Sequence, residues 1–362
     1  MENPKILAIN PGSTSTKFAV FLGENQIFKE TIRHEDKDLI HFPTVVSQLD
    51  YRLKLLIESL HYHNINLEEL DAVVGRGGFL HPLKSGTYIV NKEMLDDLKT
   101  ARYGEHASNL GALMAYELAK EQDIPAYIVD PIVVDEMEDV ARLSGIPELE
   151  RKSHVHALNI KAVSRKIAKR IGKDFQSLNF VVAHLGGGIS IVAQRKGQII
   201  DVNNANNEGP FSPERSGGLP AFQLVRLCYS GKFSEKEMLT RLTKKGGFYA
   251  YLGTKNAMEV EERATKGDKK AKLVLDGMIY QVSKEIGAMS AVLEGDVDGI
   301  ILTGGLSFSD YIVQEITRKV KYIAPVFVVP GEAELESLAL GALRILTNQE
   351  EARIYSVEIN AY

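Results

Sequence analysis

The chain has 362 residues, 44% of them apolar and 25% charged, with a net charge of −5. That length accommodates about two domains with real cores. The charge gives no basic footprint, which argues against nucleic acid as the main partner, and the single cysteine, Cys228, excludes a disulfide framework and a cysteine-based zinc site. The N-terminus lacks a basic-then-apolar leader, and no apolar run approaches the ~20 residues of a membrane span. The expectation is a cytoplasmic soluble protein without membrane contact, in which anionic substrates remain open because local arginines can focus a cleft.

In chain order, Lys5–Asn10, Lys17–Leu22 and Gln26–Arg33 read as strands. Between the first two lies Asn10-Pro-Gly-Ser-Thr-Ser-Thr-Lys17. Its backbone N–H groups, hydroxyls and lysine suit an anion such as phosphate. It is not a P-loop, because Thr16 stands where the second glycine is required and a strand, not a helix, follows. A plain hairpin turn is the alternative.

Val45–Leu60 carries apolar residues at 45, 46, 49, 53, 56, 57 and 60, a helical stripe. Ala72–Gly75 is a short buried strand ending at Arg76, Ala107–Glu121 a helix, and Ala126–Val129 a strand running into Asp130. A strand-end aspartate suits a magnesium-linked or water-holding acid, or a turn cap. The acidic stretch Val134–Arg142 follows; Asp135, Glu136, Glu138 and Asp139 read as a solvated first helical turn rather than a metal cluster.

A second unit is expected from residue 156. Ala157–Ile171 is helical, and Phe180–His184, Ile189–Ala193 and Gln198–Val202 are strands. Their strand–turn–strand–turn–strand order repeats the opening of the chain. The first turn of this set, His184-Leu-Gly-Gly-Gly188, is a second candidate phosphate turn; glycines allow positive φ and close backbone approach. Arg215 sits in a Pro/Gly-rich loop, where it can contact a transferring phosphoryl group or stand as an ordinary solvent-exposed arginine. Ser234–Glu237 is a capping box and Asp268–Leu293 a long helix. The strand Gly299–Thr303 enters Gly304-Gly305, a place for a nucleotide or a plain helix cap. Pro325–Pro330 is a strand and Glu334–Leu346 a helix. His106, His154, His156 and His184 lack metal-ligand spacing and suit hydrogen bonds to oxyanions.

Alternating strands and helices make this an α/β protein. The segments Asn10–Lys17, Gly104–Gly111, Val129–Arg142, Ala183–Ile191, Pro213–Gly217 and Leu302–Leu306 together make the chain resemble the butyrate kinases. These belong to the acetate kinase branch of the superfamily that also holds sugar kinases, heat-shock chaperones and actin. The Asp-Pro-x-x-x-Asp-Glu-Met-Glu-Asp stretch is typical of that branch's butyrate kinases. The resemblance implies two actin-like ATPase (ribonuclease H-like) domains, 1–155 and 156–344, with the tail 345–362 packing back on the first and a nucleotide cleft between them. It implies ATP, ADP and Mg²⁺, reversible phosphoryl transfer to a short-chain carboxylate, most simply butyrate or isobutyrate, and a homo-oligomer.

Matched position by position, Asn10 falls on the metal-site asparagine, and Ser13, Ser15 and Lys17 on the first phosphate turn. Gly186, Gly187 and Gly188 fall on the second phosphate loop, with Gly187 where acetate kinases carry Asn. Thr303, Gly304, Gly305 and Leu306 fall on the adenosine-side turn. Arg215 and His184 match phosphoryl-binding groups, Asp130 an acid near the γ-phosphate, and His156, with His154 as alternative, the second-domain histidine. Arg76, His106 and Asn109 fall on the acyl side, and Glu334, with Glu332 as alternative, on a magnesium-linked glutamate. The competing readings are an acetate or propionate kinase, and a chaperone- or actin-like ATP-binding module without kinase activity.

Overall fold

A computed structural model describes residues 3–355. Among the described residues, twelve strands form two sheets. They are β1 (Lys5–Pro11), β2 (Ser15–Leu22), β3 (Asn25–Arg33), β4 (Ala72–Arg76), β5 (Thr87–Ile89), β6 (Ala126–Val129), β7 (Asn179–Leu185), β8 (Ile189–Arg195), β9 (Gln198–Val202), β10 (Gly299–Gly304), β11 (Val326–Pro330) and β12 (Arg353–Ile354). The seven-stranded sheet runs β12-β5-β6-β4-β1-β2-β3 and the five-stranded sheet β11-β10-β7-β8-β9.

The two sheets share a plan. In each, an antiparallel meander (β1-β2-β3 or β7-β8-β9) continues into two parallel strands (β4 and β6, or β10 and β11). The register even shifts at equivalent places, Val20/Phe21 and Ala193/Gln194. The repeat expected from the strand pattern is thus present in strand order. The central strands read as near-continuous apolar runs because both their faces are covered; every residue of β7 and β10 is buried.

The chain divides into two compact units, 1–135 with 333–362, and 136–332. The division falls at 135/136 and 332/333, not at the expected 155/156 and 344/345, and hydrogen bonds give the reason. Asp135 N donates to Leu83 O in the first unit (2.8 Å). Glu136 instead accepts from Ile199 N (2.9 Å) and pairs with the fully buried Lys161 (2.6 Å), both in the second unit. The acidic stretch is therefore not one helical turn: only Asp139 lies in the short helix Asp139–Arg142, and Glu138 pairs with Arg195.

The helix Glu334–Leu346 belongs to the first unit, where it packs on β1, β4 and β6. β12 extends the same sheet, parallel to β5; the rest of the expected tail, from 356 on, lies outside the described residues. β5, β12 and the helix Lys92–Lys99 were not anticipated, the strands because two or three residues carry no readable alternation. No described helix is long and apolar enough to cross a membrane.

Candidate active site

In the first unit, β1 and β2 form the hairpin expected from the sequence, with Asn10 opposite Lys17. Gly12 N donates to Ser15 O (2.7 Å) to close the turn. Ser13 and Lys17 are exposed, Ser15 is half-buried, and Asn10 is buried. Asn10 leads into a polar triad: its Nδ2 donates to Glu334 Oε2 (2.5 Å), and Arg76 Nη1, from the end of β4, donates to Glu334 Oε1 and to Asn10 Oδ1 (3.4 Å). A strand end, a neighbouring strand end and a helix start thus bring three of the predicted residues together.

Asp130 directly follows β6 with φ of 39°, a left-handed conformation that costs a non-glycine residue on the order of 1 kcal/mol or more. It is held there by Gly86: Asp130 Oδ1 accepts from Gly86 N (2.8 Å), and Asp130 N donates to Gly86 O (3.0 Å). His106 Nδ1 lies 2.8 Å from Ser108 Oγ, and burial first, then the charge of Arg76, pulls its pKa down. Asn109 serves the backbone. Its Oδ1 accepts from Phe79 N and its Nδ2 donates to Gly104 O, both at 2.9 Å.

In the second unit, the buried His184 is the next-to-last residue of β7. Its Nδ1 lies 3.0 Å from Asn159 Oδ1 and its Nε2 3.0 Å from Glu332 Oε1. His156, rather than His154, stacks on it, with ring centroids 4.0 Å apart and planes within 9°. His156 Nδ1 reaches Ser190 Oγ at 3.0 Å. The competing glutamates thus take separate places, Glu332 at His184 and Glu334 at Asn10 and Arg76.

The glycine turn corrects one expectation: none of Gly186, Gly187 and Gly188 has positive φ. Room is the reason for glycine instead. A Cβ on Gly188 would lie 2.5 Å from Arg215 Nη1 and 2.7 Å from its Cζ. The loop that carries Arg215 is tied to the same turn through Ser212. Ser212 Oγ donates to Gly187 O and accepts from Arg215 N (3.1 Å). Burial lowers the Arg215 pKa, against a smaller opposing effect of Glu214, and its Nε is buried without a hydrogen-bond partner among the described residues. Thr303, fully buried, donates to Asn159 Oδ1 and Gly331 O, both at 3.2 Å, and Gly305–Phe308 turns in a 3₁₀ helix before Ser309 caps the next helix. Beside these turns lies a cavity of about 1040 Å³, with Gly186, Gly187, Glu214, Lys255, Glu261 and Leu306 in its lining.

The Acetokinase family model matches residues 128–329. Butyrate kinase 2 of Clostridium acetobutylicum is 53% identical over 97% of this chain and 99% of its own. The chain belongs to the acetokinase family. Among solved structures, the fold is shared with Porphyromonas gingivalis acetate kinase (TM-score 0.78, 19% identity, 95% of this chain and 100% of that one). It is shared too with a propionate kinase from Francisella tularensis (TM-score 0.73, 21% identity, 93% and 98%).

In this member of the acetokinase family, Asn159 and Ser212 do not stand out in the sequence. Asn159 joins His184, Thr303 and, at 3.5 Å, Gly331. Its signal was a polar residue on the buried side of a helix, beside Ile160 and Val163, a side it shares with Lys161 and Ser164. Ser212 gave none, since a serine beside a proline reads as an ordinary loop residue.

Proposed function

We propose that this acetokinase-family member transfers the γ-phosphoryl group of ATP reversibly to a short-chain carboxylate, giving an acyl phosphate and ADP, with butyrate or isobutyrate as acceptor before acetate or propionate. The observation that carries the reading is the 53% identity to a butyrate kinase over nearly the whole of both chains.

A carboxylate is ionised at neutral pH, so the acceptor needs no general base. The catalytic task is to bring two anions together and neutralise the charge that spreads over the transferring group. Arg215 suits this: its buried, unsatisfied Nε–H and its guanidinium against Gly188 supply fixed donors beside a glycine turn. His184, braced by Asn159 and stacked on His156, supplies another positioned donor. The adjoining cavity, with Gly305 and Leu306 at its edge, takes the nucleotide; its volume suits a ligand of that size. In the first unit, Ser13, Ser15 and Lys17 bind phosphoryl oxygens, and Arg76 with His106 receives the acceptor carboxylate. Asn109 and Asp130 hold the backbone around them.

Asn10 and Glu334 offer hard oxygen donors of the kind Mg²⁺ takes while keeping most of its waters. When bound there, the ion would neutralise phosphoryl charge.

The reverse direction gives the test. ADP with butyryl phosphate should form ATP, detected with luciferase. No ATP from butyryl, isobutyryl, propionyl or acetyl phosphate would overturn the reading. A homo-oligomer is proposed as well, supported by the helix Ala221–Cys228, in which no residue is buried and Phe222 and Val225 are 69% and 55% exposed. Sedimentation of Phe222→Glu as a smaller species than the parent is the expected result; identical sedimentation would remove that helix from any interface.

A further inference from the structure

Behind the first turn lies a buried cation that the chemistry above does not use. Arg52, on the helix Leu49–Tyr62, is 1% exposed. Its Nη1 donates to Gly12 O (2.8 Å), Ser15 O (3.2 Å) and Thr16 Oγ1 (3.2 Å). Its Nη2 donates to Ser13 O (3.1 Å) and Gln48 Oε1 (2.8 Å), and its Nε to Gln48 Oε1 (3.1 Å). Every acceptor is neutral, and Arg52 forms no ion pair among the described residues. An unpaired buried charge is costly, and ordinarily a carboxylate would face it.

The carboxylate of Asp38 acts on His34 and Tyr51, but it forms no ion pair with Arg52 among the described residues. Thr16 Oγ1 accepts from Arg52 and lies 2.8 Å from His34 Nε2. His34 Nδ1 is buried without a hydrogen-bond partner among the described residues. Burial first, then Arg52, holds the His34 pKa down at about 4, so the ring is neutral at pH 7. Burial lowers the Arg52 pKa only to about 10, which leaves it charged.

The contacts also have a direction. Three carbonyls of the turn, those of Gly12, Ser13 and Ser15, point at Arg52. The N–H groups of Ser13 and Thr14 donate to no other described residue, and both side chains are exposed. Carbonyls drawn inward leave the N–H groups and hydroxyls for an anion.

We propose that Arg52 is a positioning residue for the first phosphate turn: it clamps the turn by its carbonyls and supplies an unpaired positive charge whose counter-ion is the phosphoryl group bound there. The inference rests on the kinase reading above and adds a residue to it. Arg52 touches no reacting atom; it acts through Gly12–Thr16.

Gln48→Glu tests the charge without opening a cavity, since a carboxylate replaces the amide that Arg52 already contacts. At about 10 Å and an effective dielectric of about 20, one unit charge changes an anion's affinity on the order of tenfold. Calorimetric titration of the full-length protein with MgATP should therefore show affinity falling about tenfold in Gln48→Glu at low salt, with the gap closing as salt rises. The variant should melt no lower than the parent. Arg52→Lys, which keeps the charge but loses the fork, should bind MgATP more tightly than Arg52→Gln. Parental MgATP affinity in a folded Gln48→Glu would overturn the proposal, as would equal affinities of Arg52→Lys and Arg52→Gln. Absence of turnover in the parent would instead indict the kinase reading, and the titration would still decide the role of Arg52.

Discussion

A methyl group at position 188 would collide with the guanidinium of Arg215. If that guanidinium neutralises the transferring phosphoryl group, displacing it should act like removing it. Gly188→Ala and Arg215→Ala are each expected to lower kcat by about 10²–10³ at saturating ATP and butyrate, with unchanged far-UV circular dichroism. Near-parental turnover in Arg215→Ala would remove it from the chemistry. The glycine run was legible in the sequence as a place of close backbone approach. What was not legible is what approaches: the reason for Gly188 lies in a loop that begins past two further strands. The same holds for Asn109, whose position beside His106 suggested substrate contact while its amide is engaged by backbone on both sides. Side-chain hydrogen bonds between distant segments leave no periodic trace.

At the scale of elements, the hairpin β1-β2, the strand β3 and the helix Leu49–Tyr62 are joined through Thr16, His34 and Arg52. That junction has a consequence for stability. An unfolded histidine takes a proton near pH 6.5, whereas folded His34 resists it until about 4. Stability from this residue is therefore complete above pH 6.5 and is lost as pH falls through 6.5 toward 4. By linkage the first unit should be about 2 kcal/mol less stable at about pH 5 than at neutrality. The urea midpoint, followed by circular dichroism, should fall over that range and fall less in His34→Gln. An equal fall in both proteins would show that His34 is not buried in neutral form. Except for β5 and β12, the strands were legible to within a residue or two, because apolar runs and glycine turns report local structure. Arg52 was not, because the helical stripe around it is drawn by apolar residues and a buried arginine breaks the pattern.

At the scale of the molecule, the repeated sheet plan places a polar turn after the first strand of each unit's meander, Asn10–Lys17 after β1 and Gly186–Gly188 after β7. Composition and alternation made the α/β class and the duplication readable. The crossing points were not, since they depend on whether Glu136 pairs with Lys161 and Glu334 with Arg76. Both ion pairs join residues far apart in sequence. The central claim is that these turns serve phosphoryl transfer to a short carboxylate. Acceptor preference tests it, because one methylene in a pocket is worth about 1–3 kcal/mol. The most direct measurement is hydroxylamine trapping of acyl phosphate from ATP and a panel running from acetate to butyrate and isobutyrate. The account predicts hydroxamate that requires both ATP and acid, with butyrate or isobutyrate giving the highest kcat/KM. No hydroxamate from any acid of the panel would contradict it.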